Sequence, residues 1–300
     1  MYSRVLVTLD GSNFSQGILP YVRCVAPALK AAVELLHIND PTQLTPYSLP
    51  PQAAEYLEKI ATTFAEPANI KCTCEMGKPA DRIVDLAAVQ PKTLIAMATH
   101  GYSGAKRWLL GSVSERVLHA AKNDLLIVRP AEGDTSGMAE LKTMLVPLDG
   151  SQLAEKVLPT VAELALKLNL EVVLVRVVKH FYTAPPEAFL PVFGANFPNL
   201  KRLRQDALDE ANKYLVEKMA ALRALGPTQV SLLLMESGVD GAAAEIVDLA
   251  KKTPSPLVVM SSHGESGVGR WLIGSVTERV VRYSGQPVLV VRAHYNSSPT

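Results

Sequence analysis

The 300-residue chain is 48% hydrophobic and 20% charged, with 30 basic against 29 acidic residues. That balance provides no global field for nucleic acid or an anionic membrane, and no apolar run reaches the roughly 18 residues of a membrane span. Three cysteines without metal-ligand spacing argue against a disulfide scaffold or a zinc module. The expectation is a cytoplasmic globular protein of two domains, with no signal peptide ahead of the first strand.

In chain order, the first half opens with strand Val5–Leu9, which ends in Asp10-Gly11-Ser12, and a helix is predicted from there to about Lys30. A second strand is Val33–Ile38. After a proline-rich connection the amphipathic stretch Gln52–Phe64 predicts a helix, followed by strand Ile70–Glu75 and a helix opened by Gly77-Lys78-Pro79. The apolar run Thr93–Met97 predicts a buried fourth strand, and Leu125–Arg129 a fifth. Cys72 and Cys74, two apart on a strand, face the same way and read as reduced core thiols.

Residues 132–141 are small and polar and read as a linker between domain 1 (1–131) and domain 2 (142–294). The pattern then restarts. Met144–Leu148 with Asp149-Gly150-Ser151 repeats the first strand and its turn, and Glu171–Val178, Val230–Met235, Leu257–Met260 and Pro287–Arg292 repeat the other strands. Asp10 and Asp149 are 139 residues apart, whereas the later repeat is offset by 163, so domain 2 carries a net insertion of 24 residues (163 − 139). Most of it falls around 180–200, a segment rich in aromatics and proline, expected to pack over a domain face. Strands alternating with helices imply a mostly parallel α/β sheet covered on both faces. Ligands in such sheets sit beyond the carboxyl ends of the strands, near a topological switch point.

The most informative stretch is that later repeat. His100 to Val117 and His263 to Val280 are identical at 13 of 18 positions. Each copy follows a buried strand, runs through a glycine-rich loop and ends in Ser-x-x-Glu (Ser112 with Glu115, Ser275 with Glu278), a capping-box pattern for a helix start. Strand, glycine loop and helix N-terminus gather backbone N–H groups and the positive end of a helix dipole, which suits a phosphate. There is no Walker sequence, and the first strand-to-helix turn is Asp-Gly-Ser rather than a dinucleotide fingerprint.

Both halves resemble the universal stress protein domain, and the chain as a whole resembles a tandem pair of such domains. The register Ala98-Thr99-His100-Gly101, nine residues, Gly111-Ser112 is similar to that family's Gly-x-x-Gly, nine residues, Gly-Ser/Thr, as is Ser261-Ser262-His263-Gly264, nine residues, Gly274-Ser275. The first glycine is replaced in both copies. The resemblance implies two Rossmann-like, adenine-nucleotide α-hydrolase-like domains of five strands each, and ATP, with or without Mg2+, as the ligand. It implies that Thr8, Asp10 and Ile38 take the ribose and base, that Met97, Ala98, His100 and Gly101 line the loop, and that Gly111, Ser112, Val113 and Ser114 hold phosphates. In the second half the same roles fall to Pro147, Asp149, Val177, Met260, Ser261, His263, Gly264, Gly274, Ser275, Val276 and Thr277. Glu265, where Tyr102 stands in the first copy, would repel a triphosphate by about 1 to 4 kcal/mol at ~4 Å, so nucleotide is expected to bind the second half more weakly. The resemblance also implies pairing through the last strands, giving a pseudo-dimeric monomer or a homodimer. The expected function is a stress-response, ATP-binding regulatory protein with an unknown protein partner, not an enzyme; a nucleotide-free interaction protein and a slow ATPase are the alternatives.

Overall fold

The computed structural model describes residues 2–42, 50–64, 70–99, 110–129, 135–179, 200–238, 240–264 and 273–292. The first half supplies strands β1 (Arg4–Thr8), β2 (Ala32–Asn39), β3 (Ile70–Met76), β4 (Thr93–Ala98) and β5 (Leu125–Val128). The second supplies β6 (Thr143–Pro147), β7 (Glu171–Lys179), β8 (Val230–Ser237), β9 (Pro256–Ser261) and β10 (Val288–Val291). All ten form one continuous sheet in the order β3-β2-β1-β4-β5-β10-β9-β6-β7-β8. Within each half the pairing is parallel, as the alternation of strands and helices predicts.

Side chains alternate across the sheet and feed two cores. Val5, Val7, Val33 and Leu35 join the core under helices α2 (Leu19–Leu29), α3 (Pro50–Ala61), α7 (Leu158–Leu168) and α8 (Leu200–Ala224). Leu6, Leu36, Ile95 and Met97 join the core under α4 (Pro79–Val89), α5 (Ser112–Ala120), α9 (Ala242–Lys252) and α10 (Ser275–Tyr283). Both cores draw residues from both halves. The central strands β4 and β9 are buried along their whole length, which is why they read as apolar runs without a period.

The helix predicted from Ser12 to Lys30 is two: the single turn α1 (Asn13–Gln16) and α2. Pro20 lies in the first turn of α2, lacks an N–H and would strike the carbonyl four residues earlier in a continuous helix. Pro159 divides α6 (Gln152–Glu155) from α7 in the same way.

The halves meet where β5 and β10 pair antiparallel, Leu126 opposite Leu289. This internal pairing of last strands gives the sheet its approximate two-fold symmetry. Side chains reinforce it unequally. Arg292 sends its backbone N–H to Asp124 Oδ1 (2.7 Å) and its guanidinium to the Leu118 and Asn123 carbonyls (2.6 and 3.3 Å). Tyr2 O–H donates to Asp124 Oδ2 at 2.5 Å. Pro287 stands at the second-half position equivalent to Asp124 (124 + 163), so the arrangement is one-sided. On the other face Arg282 of α10 bridges Glu115 (2.8 Å) and Glu278 (2.7 Å). Ligand-type atoms of Glu115, His119 and Glu278 lie within 4.8 Å of one another, but the Arg282 guanidinium already stands among the carboxylates as their counter-cation. The described part of the predicted linker, from residue 135, is held as well: Arg23 donates to the Gly137 carbonyl (3.1 Å), and Ala139 N–H to the Pro20 carbonyl (2.9 Å).

One buried acid makes the first half pH-sensitive. Burial alone would raise the Glu34 carboxyl, but hydrogen bonds from Thr73 and Lys71 and the charge of Arg4 outweigh it and hold the group below the usual carboxylate range. A folded value below the unfolded one means that Glu34 adds stability above the unfolded value and loses it as pH falls through the folded value. The stability difference between the parent and Glu34→Gln, followed by urea unfolding, should therefore be largest near neutrality. It should close as pH drops below the ordinary glutamate value of about 4.3; a difference independent of pH would refute the assignment.

Candidate functional site

Within each half the topology creates a switch point. From β1 the chain crosses to β2 and β3 on one side, then returns to β4 on the other side of β1. The carboxyl ends of β1 and β4, and of β6 and β9, therefore lie side by side with their outgoing loops diverging.

The Asp-Gly-Ser turns are built alike at both places. Asp10 Oδ1 accepts from the Ser12 N–H (2.9 Å) and hydroxyl (2.6 Å), and Asp149 Oδ1 accepts from the Ser151 N–H (3.0 Å) and hydroxyl (2.6 Å). Ser12 and Ser151 then cap α1 and α6 through Ser15 N–H and Ala154 N–H, both at 3.1 Å. One carboxylate oxygen thus sets the turn. Gly11 and Gly150 have φ of +89° and +86°, which a side chain would strain. Leu9 and Leu148 N–H groups donate to the Leu36 and Val175 carbonyls (2.9 and 2.8 Å), tying each turn to the neighbouring strand.

The loop after the fourth strand folds back on that strand. Gly111 N–H donates to the Thr99 carbonyl (2.8 Å) and Gly274 N–H to the Ser262 carbonyl (2.7 Å). The structure corrects the capping-box expectation: Gly111 and Gly274 are themselves the N-caps, and no side chain caps either helix. Glu115 and Glu278 hold Arg282 instead of reaching back. Both glycines have ordinary φ, −65° and −64°. A β-carbon on Gly274 would lie 3.4 Å from the Ser262 carbonyl oxygen and 3.9 Å from Gly264 N, ordinary contact distances, so the position admits an alanine but leaves little room for a larger side chain. Helix starts with a glycine N-cap and no capping side chain present N–H groups and a positive dipole end.

The residues named from the sequence fall as follows. Thr8, Asp10 and Ile38 stand half-buried at the ends of β1 and β2, and Pro147, Asp149 and Val177 stand likewise in the second half. Met97, Ala98, Met260 and Ser261 are buried at the ends of β4 and β9. Ser112, Ser275 and Val276 are exposed and Val113 half-buried in the first helical turns. Ser114 and Thr277 are buried, and their hydroxyls reach strand carbonyls, those of Thr99 and Ser261, at 2.8 Å. They anchor helix to strand, so in these turns the outward hydroxyls are those of Ser112 and Ser275. Gly264 lies against Asp149 so closely that a β-carbon on it would overlap Asp149 Oδ2. Turn and loop thus touch in the second half. Ser261 Oγ accepts from His263 N–H at 3.4 Å, and His263 Nδ1 lies 2.9 Å from Ser262 Oγ. His100, Gly101, Tyr102, Glu265 and the 180–199 part of the insertion lie outside the described residues.

Sequence reasoning passed over Arg176 and Tyr214. Arg176 occupies the position of His37 (37 + 139), and both reach the carbonyl of the leucine before the Asp turn: His37 Nδ1 lies 2.9 Å from Leu9 O, and Arg176 Nη1 3.3 Å from Leu148 O. Each also faces a tyrosine, Tyr56 or Tyr214. Superposing the two halves of the sequence would have found the exchange.

Fold and site together define an open parallel-sheet α/β protein, duplicated, with an Asp turn and a glycine-capped helix start beside each switch point. The model of the Universal stress protein family matches residues 1–129 and 140–292, and the chain belongs to this family. A universal stress protein of Mycolicibacterium smegmatis is 23% identical over 96% of both chains. Universal stress protein MJ0531 of Methanocaldococcus jannaschii is 30% identical over 43% of this chain and 83% of its own. The crystal structure of a universal stress protein from Archaeoglobus fulgidus superposes on 98% of this chain and 100% of its own, with a TM-score of 0.65 and 22% identity. Among the described residues no helix is long and apolar enough to cross a membrane.

Proposed function

We propose that this chain is a cytoplasmic stress-response regulator that binds ATP without turning it over, using the first half as its principal site. The observation that carries this reading is the pair of helix starts at α5 and α10, each with no capping side chain and each beside an Asp turn at a switch point. Phosphates fit there because they accept backbone N–H groups and are favoured by the dipole. Asp10 would accept from ribose hydroxyls, Ile38 would pack on the base, and Gly111, Ser112 and the first turn of α5 would hold the phosphates. Glu115 and Glu278 are committed to Arg282, so a Mg2+ ion would be carried by the nucleotide. Bound nucleotide would act by favouring one conformation over another, to the extent that it binds the two differently.

Nucleotide extraction from the purified chain, followed by ATP titration, tests this. The expected result is close to one ATP per chain, lost in Gly111→Val and retained in Gly274→Val. Valine at either position keeps an allowed φ and adds branched bulk where the loop closes on the helix. Equal occupancy of the halves would refute the ranking, and no binding at all would refute the function. One observation favours a second reading, a nucleotide-free interaction module: Ser261, in place of the first motif glycine, already turns its hydroxyl onto the loop backbone at His263.

A further inference from the structure

Where the halves meet beside α5 and α10, four ionisable groups gather across the approximate two-fold axis. They are Glu115 and His119 of α5 and Glu278 and Arg282 of α10. At the 163-residue offset Glu278 repeats Glu115 (115 + 163), but Arg282 stands where the first half has His119 (119 + 163). The carboxylates are duplicated and the arginine is not.

One guanidinium nitrogen therefore serves both acids: Arg282 Nη2 donates to Glu115 at 2.8 Å and to Glu278 at 2.7 Å. The neighbouring cations of the two helices are turned elsewhere. Arg116 pairs with Asp81 (2.9 Å), and Arg279 donates to the Asp240 carbonyl (3.2 Å). A ring nitrogen of His119 lies within 4.8 Å of both carboxylates, but an imidazole, unlike a guanidinium, brings no fixed charge at neutral pH. Two negative charges thus share one permanent positive charge.

The shortage matters because of where it lies. The Glu115 and Glu278 N–H groups close the first turns of their helices onto the Gly111 and Gly274 carbonyls, at 2.8 and 2.9 Å. Each glutamate is three residues past the serine that opens its helix, about 4.5 Å along the axis, and helical side chains lean back toward the N-terminus. That separation is inside the Debye length of about 8 Å at physiological salt. A polyphosphate at either helix start would feel the glutamate as a like charge, offset by that glutamate's share of Arg282. Ser114 and Thr277 fix both first turns to strand carbonyls at 2.8 Å, so a shift of the turn does not relieve the repulsion.

We propose that this shared cation sets how many nucleotides the chain holds: Arg282 offsets Glu115 and Glu278 enough for one triphosphate, and His119 withholds the fixed charge that a second would need. The inference rests on the nucleotide reading above and adds to it. The exchange of Tyr102 for Glu265 ranks the halves, whereas the charge between α5 and α10 limits the number. Arg282 is a positioning residue in this scheme, acting on the phosphates through the two glutamates.

Calorimetric titration of the full chain with ATP, and with adenosine as a ligand without phosphates, tests the proposal. His119→Arg should raise the stoichiometry from one ATP per chain toward two and leave adenosine unchanged. Arg282→Gln should weaken ATP roughly threefold to tenfold, the size expected between partly screened charges, and again leave adenosine unchanged. Arg282→Lys keeps the charge and should recover most of the loss. These effects should shrink at about 1 M salt, where the Debye length is about 3 Å. An unchanged circular dichroism spectrum is the control for folding. Two ATP on the parent chain, one ATP at unchanged affinity on His119→Arg, or equal losses of ATP and adenosine in Arg282→Gln would each overturn the proposal and leave nucleotide binding standing. A parent chain that binds no ATP would end both.

Discussion

Asp124→Ala is expected to destabilise the chain by about 2–4 kcal/mol, as for leaving two donors to a half-buried carboxylate without their acceptor. Both oxygens of Asp124 are in use: one receives the Arg292 backbone N–H, the other the Tyr2 hydroxyl. The substitution leaves both donors behind. It also removes the charge facing the Arg292 guanidinium, which burial lowers to about 10 even with Asp124 pulling it up. Because Tyr2, Asp124 and Arg292 join the N-terminal strand, the β4–β5 side and the end of β10, the loss falls on the contact between the halves. Asp124→Asn keeps one acceptor and the shape, so its cost should be clearly smaller. Urea unfolding of the three proteins measures both, and a loss under about 1 kcal/mol for the alanine variant would show that the junction rests on strand pairing alone.

Gly264→Ala should have the next largest effect, through Asp149. The added β-carbon would occupy the place of Asp149 Oδ2, so the carboxylate must move, and with it the bonds that Oδ1 accepts from the Ser151 N–H and hydroxyl. Loss of such contacts at a partly buried carboxylate costs about 1–3 kcal/mol. The cause is a collision between two side chains, so it should disappear when one is absent. In an Asp149→Ala background Gly264→Ala should cost almost nothing, giving a coupling energy close to the whole single-mutant effect. Additive losses in that double-mutant cycle would place the strain in the loop backbone instead.

The two proline-directed breaks show one limit of reading along the chain. Pro20 and Pro159 are visible as letters, yet proline is equally at home in a first helical turn and at a boundary, so one helix was expected where α1 and α2 stand. The capping-box expectation failed for a related reason. Ser-x-x-Glu fits a helix start at either residue of a Gly-Ser pair, and what decided for glycine was distant: Arg282 draws Glu115 and Glu278 toward the junction, and the loop closes on the Thr99 and Ser262 carbonyls. The resemblance assigned Ser114 and Thr277 to phosphates; folding turns their hydroxyls onto the Thr99 and Ser261 carbonyls.

The order of strands and helices, the duplication, the burial of β4 and β9 and the Asp and glycine positions at the strand ends were all determined by the sequence alone. These follow from local periodicity and from spacing repeated at a constant offset, which need no knowledge of what lies across the sheet. That β5 and β10 pair within one chain and in which register, the one-sided hold of Asp124 on Arg292, the contact of Gly264 with Asp149 and the sharing of Arg282 by Glu115 and Glu278 were decided only in three dimensions. Each depends on residues brought together from far apart in the chain. The partner, not the residue, sets the role there: a buried carboxylate or guanidinium is stable only where the fold supplies its opposite charge or its hydrogen bonds.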